Sequence, residues 1–147
     1  MKTMQHPSAA LMTQAIEFGF THWTVGCLIV QGDEIIAMNG GTIFSAEHDV
    51  TGHSEINAIR QACKKLGSHH LRGCWLYTTY EPCPMCMAAI CWAKMAGVVY
   101  AATQEDRNDR WPVEVHLRAA EVIARAEHKP HLIEAFMRQE ALKILEL

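Results

Sequence analysis

No apolar run in this chain approaches the roughly 20 residues that a membrane span requires, so nothing in it reads as an anchor. It opens without the charged and apolar regions of a secretory leader. The expectation is therefore a cytoplasmic protein that keeps its six cysteines reduced. Basic charge is also scarce: 13 lysines and arginines face 16 acids, for a net charge of −3. A protein that grips a phosphate backbone usually carries a basic stripe. Here the basic residues are Lys64-Lys65 and the scattered Arg107, Arg110, Arg118 and Arg125, which argues against nucleic acid as a partner. There is no internal repeat, linker or low-complexity segment. At 147 residues, half of them hydrophobic, the chain has enough material for one well-buried core without disulfide staples. Residues 1–147 are accordingly read as a single domain.

What is present is an alternation of short elements. Ser8 can cap a helix running to about Phe18, with Gly19 as its stop. Val25 to Val30 is a nearly continuous apolar run, as in a strand buried on both faces. Gly32-Asp33 turns the chain into a hairpin partner over Glu34 to Met38. Asn39 to Gly52 lacks periodicity and reads as a loop. The spacing predicts a helix from Ser54 to about Leu66, a strand from Cys74 to Thr79, a helix opened by Pro82 and Pro84 and running to about Lys94, and a strand from Gly97 to Ala102. Strand–helix–strand alternation implies parallel crossovers in an α/β sheet covered on both faces. Beyond Thr103, a charged loop covers Gln104 to Trp111. Val115 to Ala126 fits one helix, or a helix plus a short strand. His131 to Leu145 reads as a terminal helix with Leu132, Ala135, Phe136 and Leu142 on its apolar stripe.

The chemistry concentrates in His53-Ser54-Glu55 and Pro82-Cys83-Pro84-Met85-Cys86. A Cys-x-x-Cys pair alone fits a redox couple or half of a zinc finger. A His-x-Glu upstream, with a strand between the two helices, shifts the balance to a catalytic metal site. Cys83 and Cys86 lie one turn apart at a helix start, where the N-terminal dipole favours thiolates. His53 enters the other helix in the same way. Two thiolates and one imidazole suit zinc, and the sequence offers no obvious fourth ligand. A structural zinc site normally closes with four protein ligands, whereas a hydrolytic one keeps a position open for water. Glu55, two residues past the histidine, is placed to move protons between that water and a substrate. Cys27, Cys63, Cys74 and Cys91 read as small core residues.

These motifs resemble those of the cytidine deaminase superfamily, the zinc-dependent deaminases of nucleobases and nucleosides. The likeness runs from about Val25 to Ala102. Glu55-Ile56-Asn57-Ala58-Ile59-Arg60 and Glu81-Pro82-Cys83-Pro84-Met85-Cys86, with Ala89-Ile90 and Trp92-Ala93, look most like bacterial guanine deaminases. The tRNA adenosine deaminases and fungal cytosine deaminases are similar over the same core. The resemblance implies a three-layer α/β/α sandwich around a central mixed sheet of about five strands, and a homodimer. It makes His53, Cys83 and Cys86 the zinc ligands and Glu55 the proton shuttle, with the backbone N–H groups of Ser54 and Cys83 facing the substrate. Ser54 replaces the alanine usual between the histidine and the glutamate. Two further departures fall on substrate recognition. The asparagine that the resembling deaminases usually carry about eleven residues before the histidine gives way to Gly41-Thr42, with Asn39 the nearest amide. Thr24-Val25-Gly26-Cys27 stands where many relatives have Pro-Phe-Gly-Ala.

The expected activity is hydrolytic deamination of a free nucleobase or related small aminated heterocycle, with guanine first. Asn39, Ser54, Trp92, Asp106 and Asp109 are the candidate substrate contacts, the two aspartates as acceptors for a purine's N–H groups and Trp92 as a stacking surface. One alternative is adenosine in tRNA, or cytosine. Another is a non-catalytic, zinc-stabilised partner subunit, against which the presence of Glu55 argues.

Overall fold

The computed structural model describes residues 5–146. Ser8 caps helix α1 (Ala9–His22) by accepting from the Leu11 N–H. The helix continues through Gly19 and ends at Trp23, which adopts a left-handed conformation (φ 54°). Gly19 is therefore not the expected stop. Its missing side chain serves packing, because a Cβ there would lie 2.7 Å from the Thr24 carbonyl oxygen. Strand β1 (Cys27–Gln31) turns at Gly32 (φ +58°) into β2 (Glu34–Asn39). Then follow α2 (Ser54–Leu66), β3 (Trp75–Tyr80), α3 (Pro84–Trp92) and β4 (Gly97–Ala102). These four lie within two residues of the bounds expected from the sequence.

The sheet order is β2-β1-β3-β4-β5. β1 runs antiparallel to both β2 and β3, while β3, β4 and β5 are parallel. One core lies between the sheet and α2, α3 and the short α4 (Ala119–Ala124), built on Ala58, Ala62, Met87, Ile90 and Ala119 against Ile29, Leu76 and Val98. The other lies between the opposite face and α1, where Leu11, Met12 and Ala15 meet Leu28, Val30, Tyr77 and Val99. The fold is thus the three-layer α/β/α sandwich around a mixed five-stranded sheet that was expected.

The last third corrects the sequence reading. His131–Ile133 is strand β5, paired with Gly97–Val99, and not the start of a terminal helix. Its apolar residues cover the otherwise open edge of β4, which a helix would have left unpaired. Ala135 (φ 55°) and Met137 (φ 59°) then break any helical course. Only Arg138–Leu142 is α-helical (α5), followed by a 3-10 turn at Lys143–Glu146. In 115–126 the structure selects a single short helix, α4.

Candidate active site

Both metal motifs start helices. His53 is the N-cap of α2 and Cys83 the N-cap of α3, each in extended conformation, with Pro84 in the first turn of α3. Neither cap uses its side chain to satisfy the helix, so the imidazole and the thiol are free to meet each other. The two helix starts meet because β3 delivers Cys83 from the middle of the sheet, while α2 packs over β1 and β2. The ligand atoms of His53, Cys83 and Cys86 all lie within 4.8 Å of one another, and His53 Nδ1 is 3.5 Å from Cys83 Sγ.

This donor set fits zinc. Bonds of about 2.3 Å to sulfur and 2.0 Å to nitrogen, arranged tetrahedrally, call for ligand atoms about 3.5 to 3.8 Å apart. Among the described residues no fourth histidine, cysteine or acid joins the group. Electrostatics agree with metal binding. A hydrogen bond from Cys86, aided by His53, draws the Cys83 thiol down to about 4 despite burial. Cys86 is pushed well above the ordinary thiol range, chiefly because it holds the proton of that bond, and a metal ion displaces such a proton. The bond from Cys83 raises His53 against the opposing effect of burial.

Glu55 stands in the first turn of α2, only 5% exposed. Burial raises its carboxyl above the usual range, partly offset by the Thr78 hydroxyl, which donates to Glu55 Oε1 at 2.7 Å. Thr78 is fully buried in β3. Its bond fixes the rotamer of the carboxylate that the sequence marks for proton transfer. Thr78 was not foreseen. The available hint was a hydroxyl inside a buried strand, which needs a partner.

The candidate substrate contacts fare unevenly. Ser54 is 3% exposed, and its Oγ donates to the Val25 carbonyl at 2.6 Å, which ties the start of α2 to the segment entering β1. Gly26 lies in that segment. Its N–H donates to Thr79 Oγ1 at 3.1 Å, and a Cβ would sit 2.0 Å from the Ala15 carbonyl oxygen. Asn39 ends β2 and its amide donates to Gln61 Oε1 at 2.5 Å and to the Asn57 carbonyl at 3.4 Å, so it fastens β2 to α2. Asn57 donates in turn to the Gly40 carbonyl, Thr42 Oγ1 and the Gly52 carbonyl, clasping both ends of the loop before His53. Trp92 is 78% exposed at the far end of α3, eight residues from Pro84 and hence about 12 Å along the axis. It is not brought to the cluster. Asp106 closes a capping box with Thr103 and pairs through both oxygens with Arg138, an anchor for the tail. Asp109 is exposed on the turn between Asn108 and Trp111.

Residues 2–102 match the model of the cytidine and deoxycytidylate deaminase zinc-binding region. The chain belongs to this deaminase family. It is 48% identical over 81 residues to guanine deaminase of Bacillus subtilis (strain 168), covering 55% of this chain and 51% of that protein. It is 42% identical over 78 residues to the tRNA-specific adenosine deaminase of Agrobacterium fabrum, covering 53% and 51%. The chain thus spans about half the length of these curated relatives. A solved structure of a tRNA:A34 deaminase superposes with a TM-score of 0.74 at 29% identity, over 92% of this chain and 96% of that one. The family's zinc-binding region contains all three residues of the cluster and Glu55.

Proposed function

We propose that this chain is a single-domain, zinc-dependent hydrolytic deaminase of a free nucleobase or related aminated heterocycle, with guanine as first substrate. The observation that carries this reading is the buried Glu55 carboxylate, fixed by Thr78 beside a cluster that, among the described residues, holds three metal-ligating side chains and no fourth. His53, Cys83 and Cys86 would hold the zinc. Zinc, when bound, lowers the pKa of a coordinated water and so supplies a nucleophile near neutrality. Glu55 would take up a proton from the attacking water and deliver it to the ring nitrogen of the substrate. It would then carry the second proton of the added water, released as the carbonyl forms and the C–N bond breaks, to the amino group, which departs as ammonia. The helix-start N–H groups of Ser54 and Cys83 orient the base. Their partial positive charge favours the intermediate over the planar substrate.

The likeness to guanine deaminase of Bacillus subtilis supports guanine, and the net charge of −3 supports a small substrate over RNA. A second reading, adenosine in tRNA, is favoured by the near-complete superposition on a tRNA:A34 deaminase. The two separate on salt. An RNA substrate held by its phosphates loses affinity steeply as salt rises, while turnover of guanine to xanthine and ammonia holds nearly constant. Six cysteines with no disulfide among them support the cytoplasm as the working compartment, and no helix among the described residues is long and apolar enough to cross a membrane. We also read the protein as a homodimer. Helix α3 carries no charged residue, and Met85 and Trp92 stand exposed on its outer face, as a helix does when a second subunit covers it. Trp92→Glu should shift the sedimenting species to monomer. An unchanged sedimentation coefficient would remove α3 as the interface.

A further inference from the structure

Glu81 lies two residues before Cys83, yet its side chain turns away from the metal ligands. It is completely buried. Its carboxylate accepts from the Gln104 N–H at 3.1 Å, from Arg118 Nε at 3.1 and 2.9 Å, and from the Ala119 N–H at 2.9 Å. Gln104 Nε2 adds a bond to the Leu117 carbonyl at 2.7 Å. Residue 104 and residues 117–119 are the two ends of the loop that joins β4 to α4. One carboxylate therefore pins both ends of that loop, and does so from the segment leading directly to Cys83.

The loop leaves the carboxyl end of β4 beside the carboxyl end of β3, the side of an open α/β sheet where ligands bind. Stability alone does not account for a charge in this place. An ion pair whose carboxylate is buried, with its arginine a third exposed, often contributes no more than well-packed apolar residues of similar size. What the carboxylate adds is a defined position, because it accepts several N–H groups at once and each fixes a different part of the backbone.

We propose that Glu81 is a positioning residue: it holds the 104–118 loop at a set distance from the zinc ligands as a wall of the substrate pocket. This rests on the deaminase reading above. Substrate fit, and not metal content, depends on Glu81.

The test uses zinc-loaded Glu81→Gln and Arg118→Gln, which weaken the same clamp from opposite sides, so that failure of one variant to fold leaves the other. Zinc content, KM, kcat and amide hydrogen exchange are measured for both. The expected result is one zinc per chain, a KM raised about tenfold or more with kcat held within about threefold, and faster exchange confined to residues 104–119. An unchanged KM, or loss of zinc together with kcat, overturns the proposal. If the wild-type protein turns over no amino-base, the deaminase reading fails by itself, and exchange then decides for the clamp. Loosening restricted to 104–119 upholds it, and exchange indistinguishable from wild type overturns it.

Discussion

Replacing Glu55 with glutamine separates proton transfer from metal binding and folding. The amide is nearly isosteric with the carboxylate, and its oxygen can still accept from Thr78 at the 2.7 Å seen for Oε1. None of the three metal ligands is touched, so zinc content should stay at the wild-type value. At 5% exposure the site exchanges one buried polar group for another with its hydrogen bond retained. The expected change in folding stability is within about 1 kcal/mol. What is lost is the group that carries protons, worth about 10²- to 10⁴-fold in rate, or about 3 to 5 kcal/mol of barrier. The assay is ammonia release by zinc-loaded Glu55→Gln, with zinc measured on the same sample and thermal unfolding as the control. Loss of zinc from the variant, or turnover within tenfold of wild type, would refute the role of Glu55.

Three further outcomes follow from contacts elsewhere. Ser54→Ala removes the buried bond to the Val25 carbonyl and should cost about 1 kcal/mol in denaturant unfolding. Turnover should change little, because the substrate contact assigned to Ser54 is its backbone N–H; a large fall in kcat would place the hydroxyl in the chemistry. Hydrogen bonds from Arg138 hold the Asp106 carboxyl below its ordinary value. The stabilisation is therefore present above the unfolded carboxylate pKa and fades as pH falls through the lower folded one. Asp106→Asn should destabilise by about 1 kcal/mol at neutral pH, discounted for the partly exposed arginine, and by progressively less in acid; a difference independent of pH would contradict the ion pair. Chelation should lower the melting temperature by about 10 °C, if zinc stands about a thousandfold above its Kd and so contributes about 4 kcal/mol. Failure of added zinc to restore it would argue against a resident metal.

The parts of the fold legible in the sequence are those whose signal is local. Val25 to Val30 and Gly97 to Ala102 are short apolar runs that could be read directly as strands, and Gly32 marks its turn by a positive φ. The His53, Cys83 and Cys86 cluster was equally legible as a juxtaposition, because the two cysteines stand one helical turn apart and the histidine opens the other helix. The tail was not. Leu132, Ala135, Phe136 and Leu142 fit a helical stripe by spacing, but Leu132 sits in a strand drawn to an open sheet edge, which is a tertiary effect. Polar partners were also hidden. Thr78 meets Glu55 across 23 residues, Arg118 meets Glu81 across 37 and Arg138 meets Asp106 across 32. No spacing rule reports pairings at such separations. Asn39 and Asp106 looked available for a substrate because sequence shows a side chain's donors and acceptors but not which neighbours occupy them.

The measurement that tests the central claim most directly is ammonia release by the zinc-loaded protein from guanine, cytosine, adenine, their nucleosides and a tRNA anticodon stem, at low and moderate salt, with Glu55→Gln alongside. The account predicts turnover of guanine or another free base, insensitive to salt and lowered about a hundredfold or more in the variant. Turnover confined to the RNA would contradict the substrate assignment, and silence across the whole panel with zinc bound would contradict the proposed deamination of these bases.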